Sequence, residues 1–578
     1  MEVWLEVRIS ALTAVAFAWS LAAIGARLRR TMRVPLFPGL KLPFDFMLGA
    51  GVVSFLLLFL GLCDLYRPWV FVLLGLLLLV LGSWRKNGWQ WGNLFPAAIS
   101  SLLLVPLALA QPFFYDALVY HLALPWQALI EGGWHAHPES IYAAGPPLAQ
   151  LCALPFLVVN LPRAYAFLHL LAFTLAGAAL YTLCGLLGGR RFAFLAGFCL
   201  PILPLYVLVP GFPTAEGWAV LSLTVGVGLL FRRCHLVWAG LLAGLAVASR
   251  LQALPLAAGV ALLGALRLQP WKQRLQLLFA FLLGSSLWWA KNWLLLGKPF
   301  LPFGGSAFSA LSRDAAQVSA QGLDFYGVIR ASASALAPHA PYLLPLVVAA
   351  LGAVCLAPSR RVLTVASLAA VGLVSWPFVG LLTRFLAAAS PLWLALPTVA
   401  RTKISRLVSG LALGVSAIFG LVVSAQELWR WGGFSLMGPA VSIEERLVVN
   451  NPFPAFRKAE ALPENARVLF VGEPRGFLFP RRFVAPSVFD EHPLVALMET
   501  AKTPEEAVLS LRNSGFSHLL VNWGELHRLV PGYPCAPWRT PTGRANFIKL
   551  VKALEPPVLA AGPVAIYALE LRRAPNGS

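Results

Sequence analysis

Apolar runs of roughly twenty residues recur through the first 425 residues of this 578-residue chain, separated by short clusters of arginine and lysine. A run of that length is what an α-helix needs to cross the hydrocarbon core of a bilayer. With 59% of residues hydrophobic and only 12% charged, a water-soluble globular chain is excluded and a polytopic membrane protein is implied. Spans are expected near residues 4–26, 43–63, 69–83, 94–112, 164–187, 192–209, 218–231, 236–249, 251–268, 275–295, 340–357, 362–381, 385–400 and 407–425, about fourteen in all.

The formal net charge of +21 raises nucleic acid as a partner, but the positions of the charges argue against it. Basic clusters at 27–41, 85–86, 190–191, 232–233, 267–274, 360–361 and 401–406 all fall on one side if the spans alternate. That is the positive-inside pattern of a multi-pass protein in the cytoplasmic membrane. Residues 111–163, the turn at 210–217, the loop from 297 to about 338 and everything after 425 then share the opposite face. The first segment is followed by Arg27, Arg29, Arg30 and Arg33 without a cleavage site of small residues, so it reads as a retained span. Six of the seven cysteines lie in or beside apolar segments, which gives no disulfide framework and no zinc spacing.

The longest polar interruption is 111–150, where Asp116, Tyr120, His121, Glu131, His135, His137 and Glu139 crowd between apolar regions. Ionisable groups beside an apolar wall usually mark binding or chemistry. The plainer reading is a solvated loop in which Asp116 caps the following helix. A helix through ALVYHLAL places Asp116 and Tyr120, four apart, on one face. Pro125 disfavours helix at Leu124 and starts a second short helix, which Gly132 and Gly133 stop. The apolar stretch 147–159 is too short to cross and contains Pro155, so it is expected to lie in the interface or to re-enter.

Beyond residue 425 charges appear every few residues, and 426–578 is expected to form a small α/β domain outside the cytoplasm. Strands are expected at 467–472, 518–523 and 564–571. Thr503-Pro504-Glu505-Glu506 reads as a capping box with proline at the first helical position, and Gly515 closes that helix. The fold class is thus an α-helical polytopic membrane protein (1–425) with juxtamembrane helices and a C-terminal α/β domain.

Four features converge on the outer face: Asp116, Glu216 in PGFPTAEGW, Lys291-Asn292 in WWAKNWLLLGKPFLPF, and Arg384 in LLTRFLAAASPLWLALP. Glu216 is expected in an exposed turn, and Lys291 at a span end fits snorkelling as well as binding. Arg384, with Arg250 similar to it, is suited to a lipid phosphate because guanidinium binds phosphate through two parallel bonds. Two carboxylates with two or more cations suit transfer of a sugar from a polyprenyl phosphate. The reaction needs a base for the acceptor's proton and positive charge for the departing phosphate.

YDALVYHLALPWQALIEGG, AGLLAGLAVASRLQALPL, AKNWLLLGKPFLPF and TRFLAAASPLWLALP, in that order, resemble successive signatures of the polytopic C-type glycosyltransferases. That class includes the bacterial aminoarabinose transferases and the protein O-mannosyltransferases. The resemblance implies an outward-facing site and a polyprenyl-phosphate-linked sugar donor. It implies an extracytoplasmic acceptor and an acid in the first outer loop acting as base or metal ligand. By motif position that acid is Asp116, and Glu216 matches the second outer acid. Tyr120, His121, Arg250, Lys291, Asn292 and Arg384 are the expected substrate-binding residues. Ala117 follows Asp116 where many members carry a second acid, and Glu216 stands where aspartate is more usual. A divalent metal ion therefore stays open, with His135-x-His137-x-Glu139 as a further candidate ligand set. Two other classes compete: a non-catalytic envelope-assembly scaffold of the same fold, and a lipid or solute transporter, for which few mid-span charges are present.

Overall fold

Seven helices among the described residues are long and apolar enough to cross a membrane: Val3–Thr31, Pro38–Leu62, Trp91–Ala108, Pro162–Leu187, Arg330–Leu356, Arg360–Phe378 and Lys403–Trp431. The protein, seen in a computed structural model, is described over residues 2–81, 88–232, 235–268, 270–303, 325–379 and 382–570. The basic residues Arg85, Lys86 and Arg233, most of the loop after 297 and the end of the strand expected at 564–571 lie outside those residues.

Of the other expected spans, 275–295 is the 26-residue helix Trp271–Leu296, and the rest are shorter or broken among the described residues. Glu216–Leu229 and Leu236–Ser249 are helices of 14 residues each, which reach only about 21 Å at ~1.5 Å per residue. Every residue of the first is buried, so it is wrapped by other helices rather than by lipid. The second packs closely on Trp271–Leu296. A Cβ on Gly244 would stand 2.2 Å from the Phe281 carbonyl oxygen, and one on Gly284 2.3 Å from that of Leu241. Small residues let helix backbones approach this way inside a membrane. The run expected at 192–209 is a helix, Ala193–Ile202, ending in two single 3-10 turns around Pro204 and Pro210.

The stretch at 147–159 is the helix Leu148–Val158, with Leu148 to Leu154 almost wholly buried against Lys41–Leu62 and Pro162–Leu187. It is a core element rather than a surface-lying one, because all its faces are apolar. A helix apolar all round is buried.

The long helix Lys403–Trp431 carries the chain past residue 425, and Gly432 ends it at φ +116°. The C-terminal region then builds a five-stranded sheet from β1 (Arg467–Val471), β2 (Arg482–Val484), β3 (His518–Asn522), β4 (Leu559–Ala561) and β5 (Val564–Ala568), ordered β2-β1-β3-β5-β4. β1 runs parallel to β2 and β3, whereas β5 is antiparallel to β3 and β4. Alternation of side chains gives the sheet two buried faces. Leu469, Val471, Leu519 and Val521 pack under the helices Leu494–Thr500, Pro504–Asn513 and Pro541–Leu554. Val468, Phe470, Leu520 and Ile566 instead join the core that continues into the helical bundle. The three expected strands and the Thr503-capped helix are present, Thr503 accepting from the Glu506 amide at 3.3 Å. The short β2 and β4 and the helix Pro541–Leu554 were not expected. Strands of three residues carry no periodicity to read.

Candidate active site

Asp116 opens a five-residue π-helix, Ala117–His121, closed by the Leu122 amide donating to the Ala117 carbonyl at 2.9 Å. Such π turns recur at functional sites. Asp116 has helical backbone angles and makes no capping bond, so the capping reading does not describe its side chain. Its Oδ2 accepts instead from Arg384 Nη2 at 2.5 Å and from the Tyr120 hydroxyl at 3.2 Å. The second helix starts at Ala123, two residues before Pro125, and ends at Gly132 with φ +82°.

Arg384 lies in a 3-10 run of 7 residues, Thr383–Ala389, longer than such helices usually persist. Its guanidinium carbon stands 5.7 Å and 5.6 Å from the ring centres of Phe114 and Phe385. Arg250 sits where the helix Leu236–Ser249 breaks, in extended geometry at φ −158°, with its guanidinium carbon 5.2 Å from the ring centre of the same Phe385. Glu216 is not in an exposed turn: all of 210–217 is buried. Its Oε1 is 3.0 Å from Arg250 Nη2, close enough to pair but off the hydrogen-bond line, and its Oε2 accepts from the Ala215 amide at 3.2 Å.

Glu216, Arg250, Gln252, Arg384 and Phe385 line one small, partly open cleft with room for about 10 Å³ of water-sized volume. The Nε atoms of Arg250 and Arg384, which line the cleft, are buried without a hydrogen-bond partner, and so is the His121 Nε2, which lies outside the lining. Unpaired buried donors carry their full desolvation cost, so an anion entering the cleft gains charge-assisted bonds at once. Burial holds the His121 imidazole well below its ordinary value against the opposing pull of Glu216, and the ring is neutral.

Lys291 and Asn292 are buried, not snorkelling. Lys291 Nζ donates to the carbonyls of Ala143 at 2.5 Å and Gly145 at 2.7 Å, and Asn292 Nδ2 donates to those of Ala144 and Leu301, both at 2.9 Å. They hold the turn that carries Tyr142, whose ring stacks on Tyr120 at 4.2 Å. The structure therefore joins them to Asp116 through two tyrosines and gives them no direct contact with it.

The histidines of the 135–139 segment diverge. His135 faces Asp64 at 3.3 Å, whereas His137 lies between Glu131 at 3.2 Å and Glu139 at 3.3 Å. Burial opposes its charge, but the hydrogen bonds to both carboxylates outweigh that and raise His137 to about 9. Among the described residues no three His, Cys, Asp or Glu side chains gather as metal ligands. Asp116 and Glu216 each face a guanidinium. A divalent ion does not fit that donor set, since the cations already beside the carboxylates would repel it.

Tyr142, Phe114 and Phe385 are site residues that the sequence did not single out. An aromatic in an apolar chain carries no signal of its own, although Phe114 and Phe385 adjoin the marked residues. No family profile and no curated protein matches the chain. Among solved structures it is similar to ArnT from Cupriavidus metallidurans bound to undecaprenyl phosphate, at 13% identity and TM-score 0.46, covering 82% of this chain and 97% of that one. It is also similar to the oligosaccharyltransferase of Archaeoglobus fulgidus in complex with Zn and sulfate, at 14% identity and TM-score 0.39, covering 74% of this chain and 68% of that one. A third is the archaeal oligosaccharyltransferase AglB from the same organism with an inhibitory peptide and a dolichol-phosphate, at 14% identity and TM-score 0.39, covering 76% and 70%.

Proposed function

We propose that this chain is a glycosyltransferase of the cytoplasmic membrane that moves a sugar from a polyprenyl-phosphate carrier to an acceptor on the extracytoplasmic side. The observation that supports this reading is the meeting of Asp116 and Arg384 beside a cleft in which two arginines keep buried donors unpaired. A carboxylate beside guanidiniums with unpaired donors is what such a transfer needs.

In this reading the Asp116 carboxylate takes the proton of the acceptor's hydroxyl or amine as that atom bonds to the sugar's anomeric carbon. The anomeric carbon–phosphate oxygen bond breaks, and its electron pair leaves with the polyprenyl phosphate. Arg384 and Arg250 stabilise the growing negative charge through the N–H edges that Asp116 and Glu216 leave free. Tyr120 orients the carboxylate. No metal takes part in this scheme.

The test begins with the lipid-linked sugars that accumulate in a strain lacking the chain, identified by mass spectrometry and offered to the purified protein. Consumption of that lipid and release of the polyprenyl phosphate are expected. If no lipid-linked sugar accumulates and none is consumed, the transferase reading fails.

A further inference from the structure

The carboxyl ends of β1 and β3 form the crevice where an open α/β sheet ordinarily receives its ligand, at the point where the strand order reverses. Here that crevice lies against the loop that carries Asp116. Glu473 follows β1 and forks onto Arg475, accepting from its Nε and Nη2 at 2.6 Å each. Arg475 also donates to the carbonyls of Val449 and Asn450 at 2.8 and 3.1 Å. Asn522, the last residue of β3, donates to Glu473 at 2.7 Å, and Glu525 in the next turn holds Arg528 Nε at 2.8 Å. The two guanidiniums so fixed stand 5.5 Å and 5.4 Å from the ring centre of Tyr115.

Tyr115 is the residue before Asp116. The same face of the domain also bonds the π turn itself, the Phe477 amide donating to the Leu118 carbonyl at 3.3 Å. It holds the following helix through Trp126 Nε1 to the Phe479 carbonyl at 2.8 Å and Gln127 Nε2 to that of Phe483 at 3.0 Å. We propose that the C-terminal domain completes the active site: Arg475 and Arg528 clamp the Tyr115 ring and thereby position Asp116 against Arg384 and Tyr120. This rests on the transferase reading for its catalytic meaning, though not for the clamp itself. A cation over an aromatic face is attracted by the ring's quadrupole, more strongly where water is excluded. The carboxylates of Glu473 and Glu525 stop either guanidinium from turning away. Arg475 and Arg528 are positioning residues, since neither touches Asp116.

The test uses the full-length protein with Arg528→Gln, Arg528→Lys, Tyr115→Leu and Tyr115→Phe. Arg528 is half exposed, and Glu525 keeps Asn450 and Arg475 beside it when Arg528 is replaced, so thermal melting of each variant is read first to check that the domain stays folded. Amide exchange over residues 113–121, followed by mass spectrometry, is expected to quicken at least tenfold in Arg528→Gln and Tyr115→Leu. Arg528→Lys and Tyr115→Phe, which keep the cation and the ring, are expected to retain most of the protection. Exchange over that segment unchanged in all four variants, or equally fast in the conservative and disruptive ones, overturns the clamp. Turnover on the accumulated lipid-linked sugar is read alongside. The clamp predicts a fall in kcat with the donor KM kept within about twofold, and a rise in KM with kcat unchanged overturns the positioning of Asp116. If the parent protein turns nothing over, the transferase reading fails, while the exchange result still judges the clamp.

Discussion

Arg384 Nη2 lies 2.5 Å from Asp116 Oδ2, although 268 residues separate the two in the chain. Both belong to irregular helix, one to a π turn and the other to a long 3-10 run. The pair is partly exposed, with each side chain at about one fifth of its free area, 20% and 22%. Its worth is therefore placement more than stability, because solvent screens a pair at such a boundary.

Asp116→Asn is expected to fold with little loss of thermal stability, since asparagine keeps the size and can still accept from Tyr120. Turnover is expected to fall about a hundredfold to ten-thousandfold, the usual cost of removing a general base. Near-normal turnover in the folded variant would remove Asp116 from catalysis and favour a non-catalytic role for the whole chain.

Arg384→Lys keeps a charge and loses the planar fork, so on the proposed function affinity for a polyprenyl phosphate should weaken by about tenfold, and Arg384→Ala more. Binding can be followed by the intrinsic fluorescence of the protein in nanodiscs. Equal affinity in the parent and both variants would take the residue out of the phosphate site.

Lys291→Ala strips donors from the carbonyls of Ala143 and Gly145. Each carbonyl left buried and unpaired costs about 1–3 kcal/mol, so the melting temperature should drop clearly. Affinity for the polyprenyl phosphate should stay close to that of the parent. A selective loss of that affinity with stability intact would instead make Lys291 a phosphate ligand.

Docking of the C-terminal domain on the loop should weaken in alkali. His137 is raised from 6.5 to about 9 in the folded protein, so its contribution is complete below about pH 6.5 and is lost as pH climbs through 9. A shift of that size corresponds to about 3 kcal/mol at most. The group faces Glu131, Glu139 and Gln127, the last of which also holds the Phe483 carbonyl of β2. Asp490, which accepts from the Ile141 amide at 2.8 Å, is raised to about 6 chiefly by burial and adds a loss of the same sign as pH rises toward 6. Thermal stability measured from pH 6 to 10 should fall in the parent and stay flatter in His137→Gln. Parallel curves would refute the assignment.

Cysteines placed at Ser140 and Ser510, in a background without the exposed Cys63 and Cys355, should both react with an impermeant thiol reagent on intact spheroplasts. The loop and the C-terminal domain touch, so they share a side, and the proposed orientation makes that side the outer one. Labelling of neither would invert the orientation.

What the sequence determined by itself is the part of the protein that follows from local chemistry. Apolar runs with basic punctuation make a multi-pass helical chain, because hydrocarbon tolerates backbone only when it bonds to itself. The Thr503 cap, the Gly132 stop and the longer strands are likewise written in neighbouring residues. The marked residues Asp116, Glu216, Arg250 and Arg384 were legible as rare charges in an apolar chain. Their pairing was not, since a 3-10 run and a broken helix bring Arg384 and Arg250 to the cleft, and neither has a periodicity to read. The tertiary structure alone buried Glu216, turned Lys291 onto a backbone turn, and set Tyr115 beside two arginines from the far end of the chain. Each of those outcomes depends on what another segment offers in space, where a buried charge or donor must find a partner and sequence distance carries no cost.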